Sequence, residues 1–247
     1  MLVVGDSCYD MNHYGRVNRI SPEAPVPIFD FDHTVTHMGM ASNVARNVEA
    51  LGHTVMCVTH FSEQKHRYID ERLNQQVIRV DHVLGRQKIN WGCEWVMSLN
   101  QFDLVLVSDY NKGFLTYEDI QQLRHLYSGP MFVDTKKPDL GRLKGCVIKI
   151  NQSEWSQRVS DPDHVVITQG AQGVLYKGAQ YATPCATVYD VCGAGDTFLS
   201  ALGVYYVAHV GCMHKAIQFA QQAAAVTISK MGVYAPTWQE ILHATQR

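Results

Sequence analysis

Short apolar runs recur along the chain at Leu2 to Gly5, Thr54 to Val58, Leu104 to Ser108, Met131 to Asp134, Cys146 to Ile150 and Val165 to Thr168. Each carries Val, Ile or Leu on successive positions, the pattern of strands buried on both faces. Between them the spacing becomes helical. Val44, Val48 and Leu51 stand at i, i+4 and i+7, with Gly52 as a stop, and Ile120, Leu123 and Tyr127 precede Gly129-Pro130. From about 197 to 231 the pattern stays helical, with Phe198, Leu202 and Tyr205 marking one helix and Ala216 to Ile228 the next. This order predicts an α/β fold built on a mostly parallel sheet flanked by helices.

Two segments alternate instead. Over 26–38, Phe29, Phe31, His33 and Val35 fall on one side, and Asp30, Asp32, Thr34 and Thr36 on the other. Residues 77–81 alternate as well. Antiparallel strands with one wet face have this pattern. They form either a small projecting sheet or a pair of ordinary edge strands. No internal repeat, low-complexity segment or linker interrupts the 247 residues, which predicts a single domain over 1–247.

A net charge of −2 argues against a nucleic-acid or acidic-membrane binder. The start, Met1-Leu-Val-Val-Gly-Asp6, reads as a strand entering a turn, without the basic start and apolar run of a signal peptide. Seven cysteines, several within apolar runs and none in a Cys-x-x-Cys pair, predict reduced thiols in a cytoplasm-like compartment. Of the histidines, His33 and His37 would lie about 13 Å apart in a strand, too far for one metal ion.

The chemistry concentrates in Val188-Tyr-Asp-Val-Cys-Gly-Ala-Gly-Asp196-Thr-Phe-Leu-Ser200. Gly193 and Gly195 flank a small Ala194, and an apolar helix follows. Unpaired amides at such a helix start favour a phosphate, and bulk at 193–195 would block it. Asp196 would be repelled by that phosphate. It reads either as a helix cap or as the general base for an attacking hydroxyl. Phosphoryl transfer needs both the amides and the carboxylate. The residues alone leave the capped turn and the catalytic loop equally open.

Asp190-Val-Cys-Gly-Ala-Gly-Asp196 resembles the Asp-Thr-x-Gly-Ala-Gly-Asp motif of the ribokinase-like (PfkB) sugar kinases. Met38-Gly-Met-Ala-Ser-Asn43 through Leu51-Gly52 is similar to their amino-terminal motif, Asn151-Gln-Ser-Glu154 to their Asn-x-x-Glu element, and Thr168-Gln-Gly-Ala-Gln-Gly173 to their nucleotide-side turn. The four occur in the family's order. Gly5-Asp6 through Asp10, Arg19 through Pro27, Asn74 through Asp81, Ser108-Asp-Tyr-Asn-Lys-Gly113, Asp134-Thr-Lys136 and Lys230-Met-Gly232 further resemble bacterial heptose 7-phosphate kinases.

The resemblance implies a three-layer ribokinase-like fold with a small β lid over about 11–38 and 65–81. It implies transfer from ATP to the anomeric hydroxyl of a heptose 7-phosphate. Asp196 would be the base, and Gly193, Ala194 and Gly195 the anion hole. Asp10, Gly39 and Asn43 would face the sugar, and Lys112 its phosphate. Asn151, Thr168, Gly170 and Gly173 would line the nucleotide, with Glu154 acting through water on Mg²⁺. A monovalent cation stays open. The partners implied are a sugar or sugar phosphate and a second copy through the lid.

The sequence departs from the pattern at Met40, where a second glycine is usual, at Gln221 in place of an Asn, and at Cys192. It is compressed between Phe61 and Lys65 and between Trp155 and Val165, each by about one helix-plus-strand unit, which implies a trimmed sheet or helix layer. A kinase for another sugar or a nucleoside, and a trimmed binding protein without catalysis, remain alternatives.

Overall fold

The computed structural model describes residues 1–184, 187–230 and 232–244, so Cys185 and Met231 lie outside the described residues. The chain begins with β1 (Leu2–Ile20), β2 (Pro27–Met40), α1 (Ala41–Ala50), β3 (Met56–Asp70) and β4 (Gln75–Val83). It continues through α2 (Glu94–Met97), β5 (Val105–Asp109), α3 (Tyr117–Leu126), β6 (Met131–Thr135), β7 (Val147–Asn151) and α4 (Gln152–Ser156). The last part holds β8 (Val165–Thr168), β9 (Val174–Tyr176), β10 (Ala179–Tyr181), α5 (Ala194–Ala208), α6 (Met213–Ile228) and α7 (Trp238–Ala244).

The strands form one sheet in the order β10-β9-β8-β7-β6-β5-β1-β3-β4, with β2 beside β1. All six apolar runs are strands of it. β3, β1, β5, β6, β7 and β8 run parallel, and β9 and β10 close one edge antiparallel. The chain leaves β1 first toward β3 and later, at β5, toward the other side. Ligands of open α/β sheets bind at such a switch point, beyond the carboxyl ends of the strands.

Alternate residues of each strand feed two apolar layers. Val3, Leu104, Leu106 and Phe132 pack under α1, α5, α6 and α7 with Val44, Val48, Leu202 and Ile217. Leu2, Val4, Val107 and Val133 face the opposite layer with Trp95, Ile120 and Leu123. That second layer is thin. It consists of α3, the four-residue α2 and the five-residue α4, whose Trp155 packs at its margin. The two compressed segments lie within β3 and between α4 and β8. β3 crosses 61–65 as unbroken strand, its register slipping once where Ser62 bulges opposite Ser7 and Cys8. α4 leads to β8 through residues 157–164 without a further helix. Neither stretch carries a further helix.

β1 and β3 continue past the main sheet, where β2 and β4 flank them antiparallel. The alternating segments therefore form the projecting four-stranded lid. One detail differs from the sequence pattern. Asp32 bulges out of register, because Tyr14 pairs with His33 and Gly15 with Phe31. Phe29 and Phe31 consequently face away from His33 and Val35, since one extra residue inverts the side-chain phase.

Buried polar bonds lock α1 onto the helices that follow the glycine loop. Thr197 Oγ1 donates to Asn47 Oδ1 at 2.8 Å, and Asn47 Nδ2 donates to the Asn43 carbonyl at 2.8 Å. Ser200 Oγ donates to the Val44 carbonyl at 3.0 Å, and Thr227 Oγ1 to Thr197 Oγ1 at 3.1 Å. Among the described residues no helix is long and apolar enough to cross a membrane. Asn47→Ala strands the Thr197 hydroxyl in the core, so urea denaturation is expected to show a loss of about 1–3 kcal/mol.

Candidate active site

The glycine loop delivers α5 to the crevice. Gly193 is its N-cap in the left-handed region at φ +79°. A Cβ there would meet Val233 Cγ1 at 2.9 Å and Asn43 Nδ2 at 3.0 Å, so conformation and space both demand glycine. The Ala194 amide donates to the Val191 carbonyl at 3.3 Å. The amides of Gly195 and Asp196, which have no acceptor within the helix, are left for an anion. Gly195 also keeps space in front of Lys149, whose Nζ would lie 3.1 Å from an added Cβ.

Asp196 is 6% exposed, yet it forms part of the wall of an open cavity of about 440 Å³. Asn43 Nδ2 donates to its Oδ2 at 2.8 Å, and the Tyr110 hydroxyl donates to its Oδ1 at 3.2 Å. Burial pushes this carboxyl up to about 6; the Asn43 bond pulls against that, the nearby Asp134 charge adds to it, and Lys149 and Tyr110 oppose it. A carboxylate in this state is ionised at neutral pH and basic enough to take a proton.

The rest of that cavity comes from the lid and the loop before α5. Asp10, Asn12, Lys65 and Arg67 project from β1 and β3, and Asp190 and Cys192 stand opposite. Asp10 is paired with Arg67 at 2.6 Å. A Cβ on Gly39 would meet Asp10 Oδ2 at 2.5 Å, which explains the glycine there. Its neighbour Met40 takes φ +61°, ψ −129°, a glycine-like conformation, while its side chain is buried against the cavity. Such a backbone costs of order 1–3 kcal/mol in a residue with a Cβ.

A second cavity of about 690 Å³ opens on the other side of the α5 N-terminus. Asn151, Thr168, Gly170 and Gly173 line it, with an apolar wall that includes Val188, Ala224 and Ile228. Gln221 holds that wall by donating to the Tyr181 and Ala182 carbonyls at 3.0 and 3.2 Å. Between this cavity and the sheet lie Asp134, Lys136 and Lys149. Lys149 pairs with Asp134 Oδ2 at 2.6 Å. Asp134 Oδ1 is buried without a hydrogen-bond partner, with Lys136 Nζ 3.8 Å away. An unsatisfied carboxylate oxygen beside two lysines suits a phosphate chain accompanied by Mg²⁺ held through water.

Two residues fall elsewhere than the resemblance implied. Lys112 does not line the cavity beside Asp196, and its Nζ is paired with the buried Glu63 at 2.7 Å. Lys65 and Arg67 are the cations that line that cavity, Lys65 sharing the same Glu63 at 3.1 Å and Arg67 paired with Asp10. Glu154 is the partner of Asn151 in the capping box of α4, its Oε2 accepting the Asn151 amide at 2.9 Å and its Oε1 paired with Lys136. It stands behind the second cavity rather than in its wall. Sequence reasoning passed over Tyr110, Asp134 and Lys149 as site residues. Lys149 carried a signal: a lysine inside the buried strand run Val-Ile-Lys-Ile needs a partner or a function.

Residues 121–240 match the profile of the pfkB family carbohydrate kinases. The chain is 30% identical to the D-beta-D-heptose 7-phosphate kinase of Bordetella bronchiseptica, over 98% of this chain and 94% of that one. It is 32% identical to the bifunctional protein HldE of Nitratiruptor sp., over 98% of this chain but only 64% of that protein. It thus spans just under two thirds of the bifunctional relative. The Bordetella alignment runs over 297 positions against a chain of 247 residues, so at least fifty positions have no counterpart here. Among solved structures, Arabidopsis thaliana ribokinase aligns with TM-score 0.73 at 15% identity, over 100% of this chain and 98% of that one. Escherichia coli phosphofructokinase-2 aligns with TM-score 0.74 at 15% identity, over 99% and 98%. The fold is ribokinase-like, and the chain belongs to the pfkB family of carbohydrate kinases.

The raised Asp196 pKa has a cost in stability. Above pH 6 the carboxylate is charged both folded and unfolded, and folding must desolvate it. Below about pH 4 it is protonated in both states and the penalty is gone. Asp196→Asn is therefore expected to stabilise the fold by about 2–3 kcal/mol at pH 7.5, with the gain vanishing near pH 4. Thermal melts of both proteins across that range check this.

Proposed function

We propose that the chain transfers the γ-phosphoryl group of ATP to the anomeric hydroxyl of a heptose 7-phosphate. The observation that carries this reading is the place of Asp196. Its carboxylate borders the sugar-side cavity, while the first amides of its own helix serve the nucleotide side. Asp196 accepts the hydroxyl proton as the sugar oxygen forms its bond to the γ-phosphorus. The bond from that phosphorus to the β,γ-bridging oxygen breaks, and ADP leaves with that oxygen. The Gly195 and Asp196 amides, with Lys149, face the charge that spreads over the migrating group. Asp134, with Glu154 behind it, would hold Mg²⁺ through water, and the ion would offset charge on the phosphates.

The substrate class rests on charge as well as on the names of the relatives. Lys65, Arg67 and His37 line the sugar side beside the hydroxyl-binding Asp10 and Asn12. An acceptor that already carries a phosphate satisfies both sets. The far face of the lid exposes Phe31, Met38 and Ile78 at 54–60%, and a second copy docking there is part of the same proposal. Sedimentation at micromolar concentration, with Ile78→Lys expected to dissociate the pair, checks that docking.

ATP consumption over a panel of phosphosugars tests the activity. The heptose 7-phosphate is expected to be turned over, and Asp196→Asn to lose about 10²–10⁴-fold. The rate at low substrate should fall as pH drops through about 6, because the base must be ionised. Arg67→Gln should raise KM for the phosphosugar about tenfold or more and leave KM for ATP alone. A wild type that turns over no sugar overturns the reading and leaves a binding protein, and an Asp196→Asn protein as fast as wild type overturns Asp196 as the base.

A further inference from the structure

We propose that Tyr110 is the positioning residue of the transfer step: its hydroxyl aims the base, and its ring forms the partition between the acceptor and nucleotide cavities. The inference rests on the kinase reading above. Among the described residues, Tyr110 alone lines both cavities. Its hydroxyl donates to Asp196 Oδ1 at 3.2 Å, on the oxygen that Asn43 leaves free. Its ring lies between two cations. Lys65, which lines the acceptor cavity, stands 5.9 Å from the centroid, and Lys136, which lines the nucleotide cavity, stands 5.2 Å from it.

The segment that carries Tyr110 is held more firmly than an ordinary loop. Asp6 Oδ2, on β1, accepts the amides of Tyr110 and Lys112 at 2.9 and 3.2 Å. Asp109 Oδ1 accepts the Asn111 amide at 3.0 Å, and Asn111 takes φ +56°. Lys137, itself buried, donates to both oxygens of Asp109 at 3.0 and 2.9 Å and to Asn111 Oδ1 at 3.1 Å. Asp6, Asp109 and Lys137 have no part in the chemistry derived above, yet burying three ionisable groups is expensive. Fixing one side chain at the junction accounts for them.

The ring then has a task that a hydroxyl alone could not perform. A kinase with an open channel between its cavities lets water take the place of the sugar oxygen. Water would form the bond to the γ-phosphorus, ADP would leave as before, and Asp196 would take water's proton. A fixed aromatic wall narrows that route while the acceptor hydroxyl reaches past its edge.

The experiment compares Tyr110→Phe and Tyr110→Ala with wild type. Tyr110→Phe keeps the wall and loses the hold on the base. Its kcat is expected to fall about tenfold, with both KM values within about twofold and one sugar phosphate formed per ATP. Tyr110→Ala opens the wall, so ATP hydrolysis without sugar should rise about tenfold above wild type. Tyr110→Leu carries the same comparison if the alanine protein does not fold. Wild-type kcat in Tyr110→Phe overturns the aiming role. Sugar-free hydrolysis no faster in the truncated variants overturns the partition. Should wild type turn over no sugar, the kinase reading fails by itself, and the sugar-free comparison still decides the partition.

Discussion

A carboxylate with almost no exposure must be held by donors or it will not stay ionised, and the arrangement around Asp196 follows from that constraint. Asn43 arrives from α1 and Tyr110 from the end of β5, 153 and 86 residues away in the chain. Each needs its own support. Asn43 is steadied by Arg46, whose guanidinium also donates to the Val233 carbonyl at 3.0 Å, and by Asn47 within the lock between α1 and α5. Tyr110 is steadied by the buried Asp6, Asp109 and Lys137. Several of the buried polar groups, among them Asp6, Asn43, Asn47, Asp109 and Lys137, lie on the routes that fix this one acid.

The trimmed parts of the chain respect that logic. The two compressed segments, 61–65 and 155–165, lie within β3 and between α4 and β8. The strands that end at the crevice are kept, and so is the helix layer that carries the glycine loop. Removing a crossover helix costs apolar burial at the rim of the sheet. Removing α1 would take the Asn43 donor away from the buried Asp196. β1 and β3 run unbroken from the main sheet into the lid, and Met40 takes its φ of +61° at the end of β2.

The apolar runs foretold the parallel strands because their pattern is local: a strand covered on both faces must be apolar at every position. The helices over 44–51, 120–127, 198–205 and 216–228 were equally legible. The Asp32 bulge was not, because a bulge depends on the partner strand and leaves the alternation of residue types intact. The glycine loop and its aspartate were visible as chemistry, although residue types alone could not tell a cap from a base. The resemblance leaned toward the base, and the cavity wall formed by Asp196 supports that choice.

By itself the sequence determined the six apolar strands, the two alternating segments and the four main helices, the small residues at 193–195 and the presence of a carboxylate beside them. These are properties of neighbours along the chain, fixed by backbone sterics and hydrophobic period. Only the tertiary structure decided that Lys112 and Lys65 both pair with Glu63, that Lys65 and Arg67 line the cavity beside Asp196, and that Tyr110 lines both cavities. Those outcomes depend on which strand ends meet at the crevice, and pairings between residues tens of positions apart leave no local mark.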